Sequence, residues 1–394
     1  MNRLVARSIA EINPEKLPPA AREGRARVLF LTIDALGWRT SAEQLRRYAQ
    51  SRDDVDAVHL SVAPPRWMRM LNRRIPVLNL EHVAHPNTTW RWLTRGWFER
   101  AIPLDRFDVV HVAPNTAAGA LVRRRQTSAG FRLSVSMDCT GQLFREISGQ
   151  PALGQRQLGS EREVLRGCDF IAAWSKWVAQ SVIADYGVDP SKVQVCRPVE
   201  LQAPPSNGGG RIDRAPGSLC NILFVGNDFD RKGGAMLLRW HQQHFADRAM
   251  LHIVSAKAQA DHSARNVVWH GGVPHERLIQ QVFPAMDLFV FPTQQEPLGI
   301  VVIEAAMSGL PTVSSRVSAI PELVLDGETG LLCDRTDERA FVKAIDRLLT
   351  DDALRRRMSA QARSFAQQEF HPDNQYGRLF DRLVELAAAA RRSV

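Results

Sequence analysis

The sequence lacks the cysteine patterns of a disulfide or zinc framework. Its five cysteines lie far apart, with no C-x-x-C pair and no histidine beside them at ligand spacing: Cys139, Cys168, Cys196, Cys220 and Cys333. This distribution disfavours the small disulfide-stapled and zinc-stabilised classes of protein. We therefore expect reduced thiols in a cytosolic compartment.

Long apolar runs are also missing. No uninterrupted apolar stretch approaches the roughly 20 residues that cross a bilayer. The N-terminal segment, residues 1–26, has no apolar h-region and contains both Glu and Pro. We therefore predict a cytoplasmic protein without a signal peptide or a transmembrane anchor.

The second half of the chain has no net charge. Residues 201–394 hold 22 Lys+Arg and 22 Asp+Glu, whereas residues 1–200 hold 29 and 20, so the whole excess of +9 belongs to the first half. Such asymmetry indicates a surface in the first half that meets an anionic partner.

The length and the pattern of the chain predict two α/β domains. At 394 residues it exceeds one ordinary core. Short β-branched runs such as "RVLFLTID" alternate with amphipathic segments, which favours doubly wound parallel sheets covered by helices. Residues 201–218 contain three Pro and four Gly, the composition of a linker. We assign residues 1–200 to a first domain, 219–372 to a second and 373–394 to a last helix.

Two glutamates enclose a mostly apolar stretch, "EPLGIVVIE", from Glu296 to Glu304. It follows the strand-like "DLFVFP", so we predict a strand, a short loop and a helix that begins at Pro297. The first-turn amides, whose N–H groups lack helical partners and can bind an anion, would be those of Leu298, Gly299 and Ile300. Glu304 would lie about two turns along the helix. A nucleoside diphosphate sugar, with its phosphates between two polar ends, fits this arrangement.

Residues 289–332, which include this stretch, resemble the donor-binding signature of retaining GT-B glycosyltransferases of the glycogen-synthase-like kind. That signature has an E-x7-E element followed by a G-x-x-E-x-x-x-D-G-x-x-G tail, and the tail is matched by Pro321, Glu322, Asp326, Gly327 and Gly330. The resemblance implies a GT-B fold, two Rossmann-like domains facing across a cleft with the donor on the second. It also implies that Glu296 contacts the donor sugar and that Glu304 holds the ribose hydroxyls.

A second candidate element is "FVGNDFDRKGG", residues 224–234. A predicted strand ends at Gly226, and Arg231 and Lys232 open a helix, where two cations can neutralise a departing pyrophosphate. The alternative is a solvated basic turn. The resemblance implies donor contact at Gly226 and a catalytic role for Lys232. The family often has Arg directly after the strand's Gly, where Asn227 stands here, so we assign that role to Arg231.

The same loop contains a D-x-D pair, Asp228 and Asp230. In another glycosyltransferase architecture such a pair holds a divalent metal. The neighbouring Arg and Lys already supply positive charge, so a loop or capping role is the preferred interpretation. The resembling family works without metal, and we expect neither a metal nor a cofactor beyond the donor substrate.

The first half carries weaker candidates for the acceptor side. Gly37 follows the first strand and is a candidate for a loop that approaches the donor, with a plain turn as the alternative. "FDVVHVAPNTAAG" resembles the family's D-V-x-H-x-H strand without its second His. His111 is therefore either a site residue or a core residue, and Asn115 or Thr116 could supply the missing hydrogen bond. Asp138 could bind or deprotonate the acceptor hydroxyl.

Residues 64–106 are rich in arginine and tryptophan. They hold eight Arg against three acids, and four of the nine Trp of the chain. Such a segment suits an anionic lipid surface, with the rings at the boundary and the cations on phosphate. The alternatives are an ordinary helix pair with a basic face and, third, nucleic-acid binding, for which no recognised module is present. We therefore predict peripheral association with the inner face of the membrane and no nucleic-acid partner.

Taken with the resemblance, these features predict a retaining glycosyltransferase that moves a glycosyl unit from a nucleotide diphosphate sugar to a hydroxyl acceptor. The acceptor is left open as a saccharide, a lipid-linked glycan or another hydroxyl compound. Two alternatives remain open: another GT-B enzyme, such as an epimerase or a phosphorylase, and a non-catalytic nucleotide-sugar-binding or membrane-associated partner protein.

Overall fold

The chain separates into two compact units in the computed structural model, which describes residues 3–6, 24–33, 37–62, 103–115, 118–119, 121–122, 130–201, 218–256, 258 and 263–392. The first unit comprises Met1–Leu201 and Pro372–Val394, and the second comprises Gln202–His371. Two predicted features, residues 202–217 of the linker and residues 64–102 of the Arg- and Trp-rich segment, lie outside the described residues.

A seven-stranded parallel sheet forms the centre of the first unit, in the order β1-β3-β2-β4-β5-β6-β7. Its strands are β1 (Arg3–Ala6), β2 (Ala26–Ile33), β3 (Val55–Val62), β4 (Val109–Ala113), β5 (Arg132–Met137), β6 (Phe170–Ala173) and β7 (Val193–Val195). Every residue of β4 and β6 is buried. Strands that are buried along their whole length are typical of a sheet that is covered on both faces.

The helices of the first unit follow their strands closely: α1 (Gly37–Gln50), α2 (Gly141–Ile147), α3 (Gln155–Gly167) and α4 (Lys176–Ala184). Side-chain caps fix the starts of two of them. The hydroxyl of Thr140 accepts a hydrogen bond from Leu143 N at 3.2 Å, and that of Ser175 accepts one from Val178 N at 3.1 Å. These bonds satisfy amides that the first helical turn leaves unpaired.

A six-stranded parallel sheet forms the second unit, in the order β10-β9-β8-β11-β12-β13. Its strands are β8 (Cys220–Val225), β9 (Ala249–Val254), β10 (Val267–Gly271), β11 (Leu288–Phe291), β12 (Thr312–Ser315) and β13 (Gly330–Cys333). The helices are α5 (Gly234–Trp240), α6 (His275–Arg277), α7 (Ile300–Met307), α8 (Glu338–Thr350) and α9 (Asp352–Glu369). The strand order reverses between β8 and β11, which makes their carboxyl ends a topological switch point.

The last helix, α10 (Arg378–Arg391), belongs to the first unit. The ring of Phe380 lies 5.4 Å from that of Phe30 in β2, and Arg391 Nη2 lies 2.7 Å from Asp108 Oδ2 just before β4. The chain therefore returns to its first sheet after completing the second.

The prediction of two doubly wound α/β domains is confirmed by these two parallel sheets and their helices. Within the described ranges, no helix combines the length and the hydropathy that crossing a membrane requires.

Candidate active site

Two loops meet at the switch point of the second sheet. One leaves β8 and contains Arg231 and Lys232, and the other leaves β11 and contains Glu296. A backbone hydrogen bond joins the two loops, since Gln294 N donates to Arg231 O at 2.8 Å. Loops at the carboxyl ends of the strands beside a switch point are where ligands of such sheets bind.

Gly233 allows these two loops to approach. It caps α5 in the left-handed conformation, with φ at 80°. A Cβ at this position would lie 2.1 Å from the carbonyl oxygen of Pro292, the residue that follows β11. Only glycine tolerates both the dihedral angle and the contact without a shift of backbone.

Lys232 and Glu296 form an ion pair across the junction, with Nζ 3.3 Å from Oε2. The Glu296 side chain is only 13% exposed, and within the part of the chain that the structure describes its buried Oε2 accepts no hydrogen bond of good geometry. The stem of Lys232 covers Gly226, where a Cβ would lie 2.7 Å from Lys232 Cδ, and its Nζ lies 5.3 Å from the ring centre of Phe291. The sequence predicted these site residues separately, and the fold brings them together.

Arg231 is held more firmly by the protein than Lys232. Its Nε donates to Asp228 Oδ2 at 2.7 Å, its Nη1 donates to the carbonyl of Gln295, and the same Nη1 lies 3.9 Å from Glu296 Oε2. The hydrogen bond from Arg231 lowers the pKa of Asp228. The first acid of the D-x-D pair is thus engaged by an arginine, and no cluster of three or more potential metal ligands occurs among the described residues.

The helix after Glu296 begins later than predicted. The prediction that Pro297 begins the helix is wrong: α7 begins at Ile300, and Gly299 caps it with φ at 88° and ψ at 62°. The left-handed backbone at Gly299 cannot continue a right-handed helix toward Pro297, so residues 297–299 remain loop. Leu298, whose side chain is buried, therefore precedes the helix.

Two backbone amides of α7 come before its first intrahelical hydrogen bond. Val302 N donates to Gly299 O at 2.8 Å, so the amides of Ile300 and Val301 precede the hydrogen-bonded part of the helix. Helix starts of this kind favour anions. Glu304 follows in the second turn of α7, closer to the helix start than the two turns predicted.

Glu304 has a partner that the sequence did not suggest. His275, the first residue of α6, lies with Nε2 2.7 Å from Glu304 Oε1. Glu304 is 7% exposed and His275 about one third exposed, so the carboxylate is buried beneath the imidazole. The only signal for His275 was its place after Pro274 at a helix start, and nothing in the sequence connected it with Glu304.

The tail of the glycosyltransferase-like signature supports the turn before β13. Asp326 Oδ1 accepts a hydrogen bond from Leu332 N at 2.9 Å, and Gly327 N donates to Gly330 O at 2.8 Å. A Cβ at Gly330 would lie 2.1 Å from Thr312 O in β12, so glycine is needed for the approach of these strands.

In the first unit, His111 lies in the core. It is fully buried in β4, with Nδ1 2.9 Å from Ser134 Oγ and Nε2 3.0 Å from Ser136 Oγ, both in the neighbouring β5. Burial, together with the charge of His59, lowers the pKa of His111 to about 3. Both ring nitrogens are thus engaged inside the sheet, which is the arrangement of the core alternative.

Three other predicted residues of the first unit lie at one edge of its sheet. Gly37 begins α1 after β2, Asn115 lies two residues beyond β4, and Asp138 directly follows β5. Because β2, β4 and β5 are parallel neighbours, these positions share the carboxyl edge. Thr116, the alternative to Asn115, lies outside the described residues.

A buried carboxylate supports the loop after Asp138, and the sequence did not indicate it. Glu161 of α3 accepts hydrogen bonds from Gly141 N at 2.9 and 3.2 Å and from the hydroxyl of Tyr186 at 2.7 Å. Burial raises the pKa of Glu161, and these two donors act in the opposite direction. The network fixes the start of α2 just after the candidate residue.

Family models match both units of the chain. The model described as "Glycosyl transferase 4-like domain" matches residues 37–198. The model described as "Glycosyl transferases group 1" matches residues 220–351, a range that includes both loops of the switch point and α7.

Curated relatives match part of the chain. A D-inositol 3-phosphate glycosyltransferase of Corynebacterium glutamicum (strain R) is 28% identical over 243 residues, 56% of this chain and 58% of the relative. The alpha-maltose-1-phosphate synthase of Mycolicibacterium smegmatis is 27% identical over 237 residues, 53% of this chain and 61% of the relative. The matched region thus spans about 58% of the length of the first of these relatives.

Solved structures resemble nearly the whole chain. A sucrose-phosphate synthase from Thermosynechococcus elongatus has a TM-score of 0.69 at 18% identity, covering 93% of this chain and 100% of that one. HepE from Anabaena, solved in complex with UDP and glucose, has a TM-score of 0.65 at 16% identity, covering 92% and 100%. The predicted GT-B fold class is confirmed by these likenesses. A glycosyltransferase family model thus matches each of the two units, and the solved structures that resemble the chain share its GT-B fold.

Proposed function

We propose that this protein transfers a glycosyl unit from a nucleotide diphosphate sugar to a hydroxyl acceptor with retention of anomeric configuration. The anomeric carbon's bond to the diphosphate breaks and its bond to the acceptor oxygen forms, giving a nucleoside diphosphate, a glycoside and one proton. The observation that carries the proposal is the meeting of Lys232, Glu296 and the start of α7 at the switch point of the second sheet.

Each of these groups matches one part of such a donor. The Lys232 ammonium and the α7 amides offer positive charge and N–H donors to the diphosphate, which carries more charge as it departs. Glu296, whose buried Oε2 lacks a well-oriented donor among the described residues, offers an acceptor to a sugar hydroxyl. Glu304, farther along α7, offers one to the ribose. Arg231 adds positive charge beside Lys232, although Asp228 and Gln295 already engage it.

The donor and acceptor classes rest on the relatives. HepE was solved with UDP-glucose, and this supports a nucleotide sugar as the donor for this chain. The names of the curated relatives support a saccharide or polyol hydroxyl as the acceptor. A lipid-linked acceptor at the inner membrane surface is the extension that the Arg- and Trp-rich segment, residues 64–106, favours.

The first experiment identifies the donor. Thermal-shift screening against UDP-, GDP- and ADP-sugars should show one preferred nucleotide, because a ligand that binds the native state raises its apparent stability. The preferred donor is then incubated with candidate acceptors, and the anomeric configuration of the product is determined by NMR. An inverted product would overturn the retaining assignment. An isomerised donor formed without any acceptor would indicate an epimerase, and donor binding without transfer to any acceptor would indicate a non-catalytic binding protein.

The second experiment tests the site. We expect Lys232→Ala and Glu296→Gln each to lower kcat by about 100-fold or more, the usual effect of removing one group that stabilises developing charge. Both variants should keep the melting temperature within a few degrees of the unchanged protein. The matched controls are Lys343→Ala on α8 and Glu328→Gln before β13, both at exposed positions of the same unit, and they should retain full turnover. Near-normal turnover of either site variant would refute the assignment.

A further inference from the structure

The contact between His275 and Glu304 adds a residue to the proposed donor site. Glu304 is almost fully buried, and one of its two carboxylate oxygens, Oε1, lies 2.7 Å from His275 Nε2. The Nε2–H group is present both in one neutral tautomer of histidine and in the imidazolium. A histidine in either state can therefore hold that oxygen by donating a hydrogen bond.

His275 is carried by a well-anchored part of the fold. Leu278 N donates to Pro274 O at 3.0 Å, which closes the first turn around His275. The segment that follows, Leu278–Val282, packs Leu278, Ile279 and Val282 into the core. The position of the imidazole is therefore set by burial of the next turn rather than by an exposed loop.

We propose that His275 is a positioning residue for nucleotide recognition: it holds Glu304 through Oε1, so that the carboxylate is presented to the ribose hydroxyls of the donor. This inference rests on the proposed function, because it requires a nucleotide beside Glu304. A carboxylate that is held by one fixed donor loses less rotational freedom when it accepts a second hydrogen bond. Removing His275 should therefore weaken the ribose contact without touching the diphosphate contacts.

The test compares nucleotides with and without ribose hydroxyls. Binding of UDP, GDP and ADP, and of their 2′,3′-dideoxy forms, is measured by calorimetry on the 394-residue chain. The unchanged protein should bind the preferred nucleotide at least about tenfold more tightly than its dideoxy form, the effect of one hydrogen bond to a charged group. His275→Ala should lose most of this discrimination by weakening the hydroxylated form, while affinity for the dideoxy form stays the same.

Two further variants separate positioning from general damage. His275→Gln places an amide N–H near the position of Nε2 and should restore most of the discrimination. His244→Ala changes an exposed histidine of the same unit and should leave both affinities unchanged. A general structural defect would weaken the hydroxylated and dideoxy forms alike.

The outcomes separate this inference from the proposed function. If the unchanged protein discriminates and His275→Ala discriminates equally well, the role of His275 is refuted while the proposed function stands. If His275→Ala weakens both forms equally and His275→Gln fails to restore discrimination, the role of His275 is again refuted. If the unchanged protein binds none of the three nucleotides and no nucleotide sugar, the proposed function fails and this inference fails with it.

Discussion

The two parallel sheets of this protein use their carboxyl edges differently. In the second unit, the loops after β8 and β11 bring an ammonium and a carboxylate to 3.3 Å from each other. In the first unit, His111, which the family resemblance pointed to, lies inside β4 and is hydrogen-bonded to two serines of β5. The predicted site residues thus occupy two kinds of position, with His111 within a strand and Lys232 and Glu296 beyond the ends of strands.

The physical reason is the environment at each position. A side chain within a central strand is enclosed by helices on one face or the other, so its polar atoms must find partners inside the sheet. A side chain beyond the strand end lies in a loop, where charged groups and backbone amides can face a ligand. Lys232 and Glu296 belong to the second class and His111 to the first.

The largest effect is expected from separating the two loops of the second unit. Gly233→Ala places a Cβ against the carbonyl of Pro292 at a left-handed position, so the loops that carry Lys232 and Glu296 must move apart. We expect transfer to fall by about 100-fold, because displacement of a site residue by about 1 Å has effects of this size. Glycosyl transfer and melting temperature are measured together.

The control for this change is Gly327→Ala. Gly327 has nearly the same dihedral angle, with φ at 82°, but a Cβ there meets nothing within 4 Å. Gly327→Ala should lower the free energy of unfolding by only about 1 kcal/mol, the penalty for a non-glycine residue in the left-handed region. Glycosyl transfer should persist. Equal losses of transfer in the two variants would show that strain at the glycine, rather than the meeting of the loops, is responsible.

A smaller effect, and on stability instead of donor binding, is expected in the first unit. His111→Ala leaves a cavity and two serines without their partner, which should lower the free energy of unfolding by about 3 kcal/mol. The dissociation constant for the donor nucleotide should change less than about twofold. Chemical denaturation measures the free energy of unfolding, and calorimetry measures the dissociation constant. A tenfold loss of nucleotide affinity in a variant that remains folded would support a site role for His111.

The pH dependence of stability gives a second measure of the same residue. Burial depresses the pKa of His111 to about 3, and that of His59 to about 4, so between these values and about 6.5 the unfolded chain binds more protons than the native one. Stability should therefore fall as the pH is lowered from about 6.5 toward 3, by up to about 1.4 kcal/mol per pH unit for each such histidine. His111→Ala should make this slope shallower, and an unchanged slope would contradict the buried neutral state.

The smallest effect concerns the charge difference between the two halves of the chain. The Arg- and Trp-rich segment predicts salt-sensitive sedimentation with anionic vesicles. Arg73→Glu combined with Arg74→Glu should weaken it by about tenfold or more, since each basic residue near such a surface contributes about 1 kcal/mol. The matched control is Arg356→Glu with Arg357→Glu, an exposed pair on α9 in the half that has no net charge. Binding that is indifferent to salt and to both double changes would remove the membrane prediction.

The sequence by itself determined the parts of the candidate site that depend on local spacing. Strand, loop and helix follow one another closely around Lys232 and again around Glu296, and periodicity and glycine placement identify such units. The alternation of strands and helices likewise predicted two doubly wound domains. The family resemblance then assigned roles to residues within each of these local units.

Only the tertiary structure decided which units meet. His275 and Glu304 are 29 residues apart, and three strands, β9, β10 and β11, lie between Lys232 and Glu296 in the chain. The pairing follows from the strand order β9-β8-β11, which places β11 beside β8. At Gly299, just before α7, a Cβ would lie 2.8 Å from Ile320 Cδ1 in the segment after β12, a contact that local sequence spacing does not reveal. Local periodicity specifies which segments are strands and helices, but it contains no information about which strand ends become neighbours.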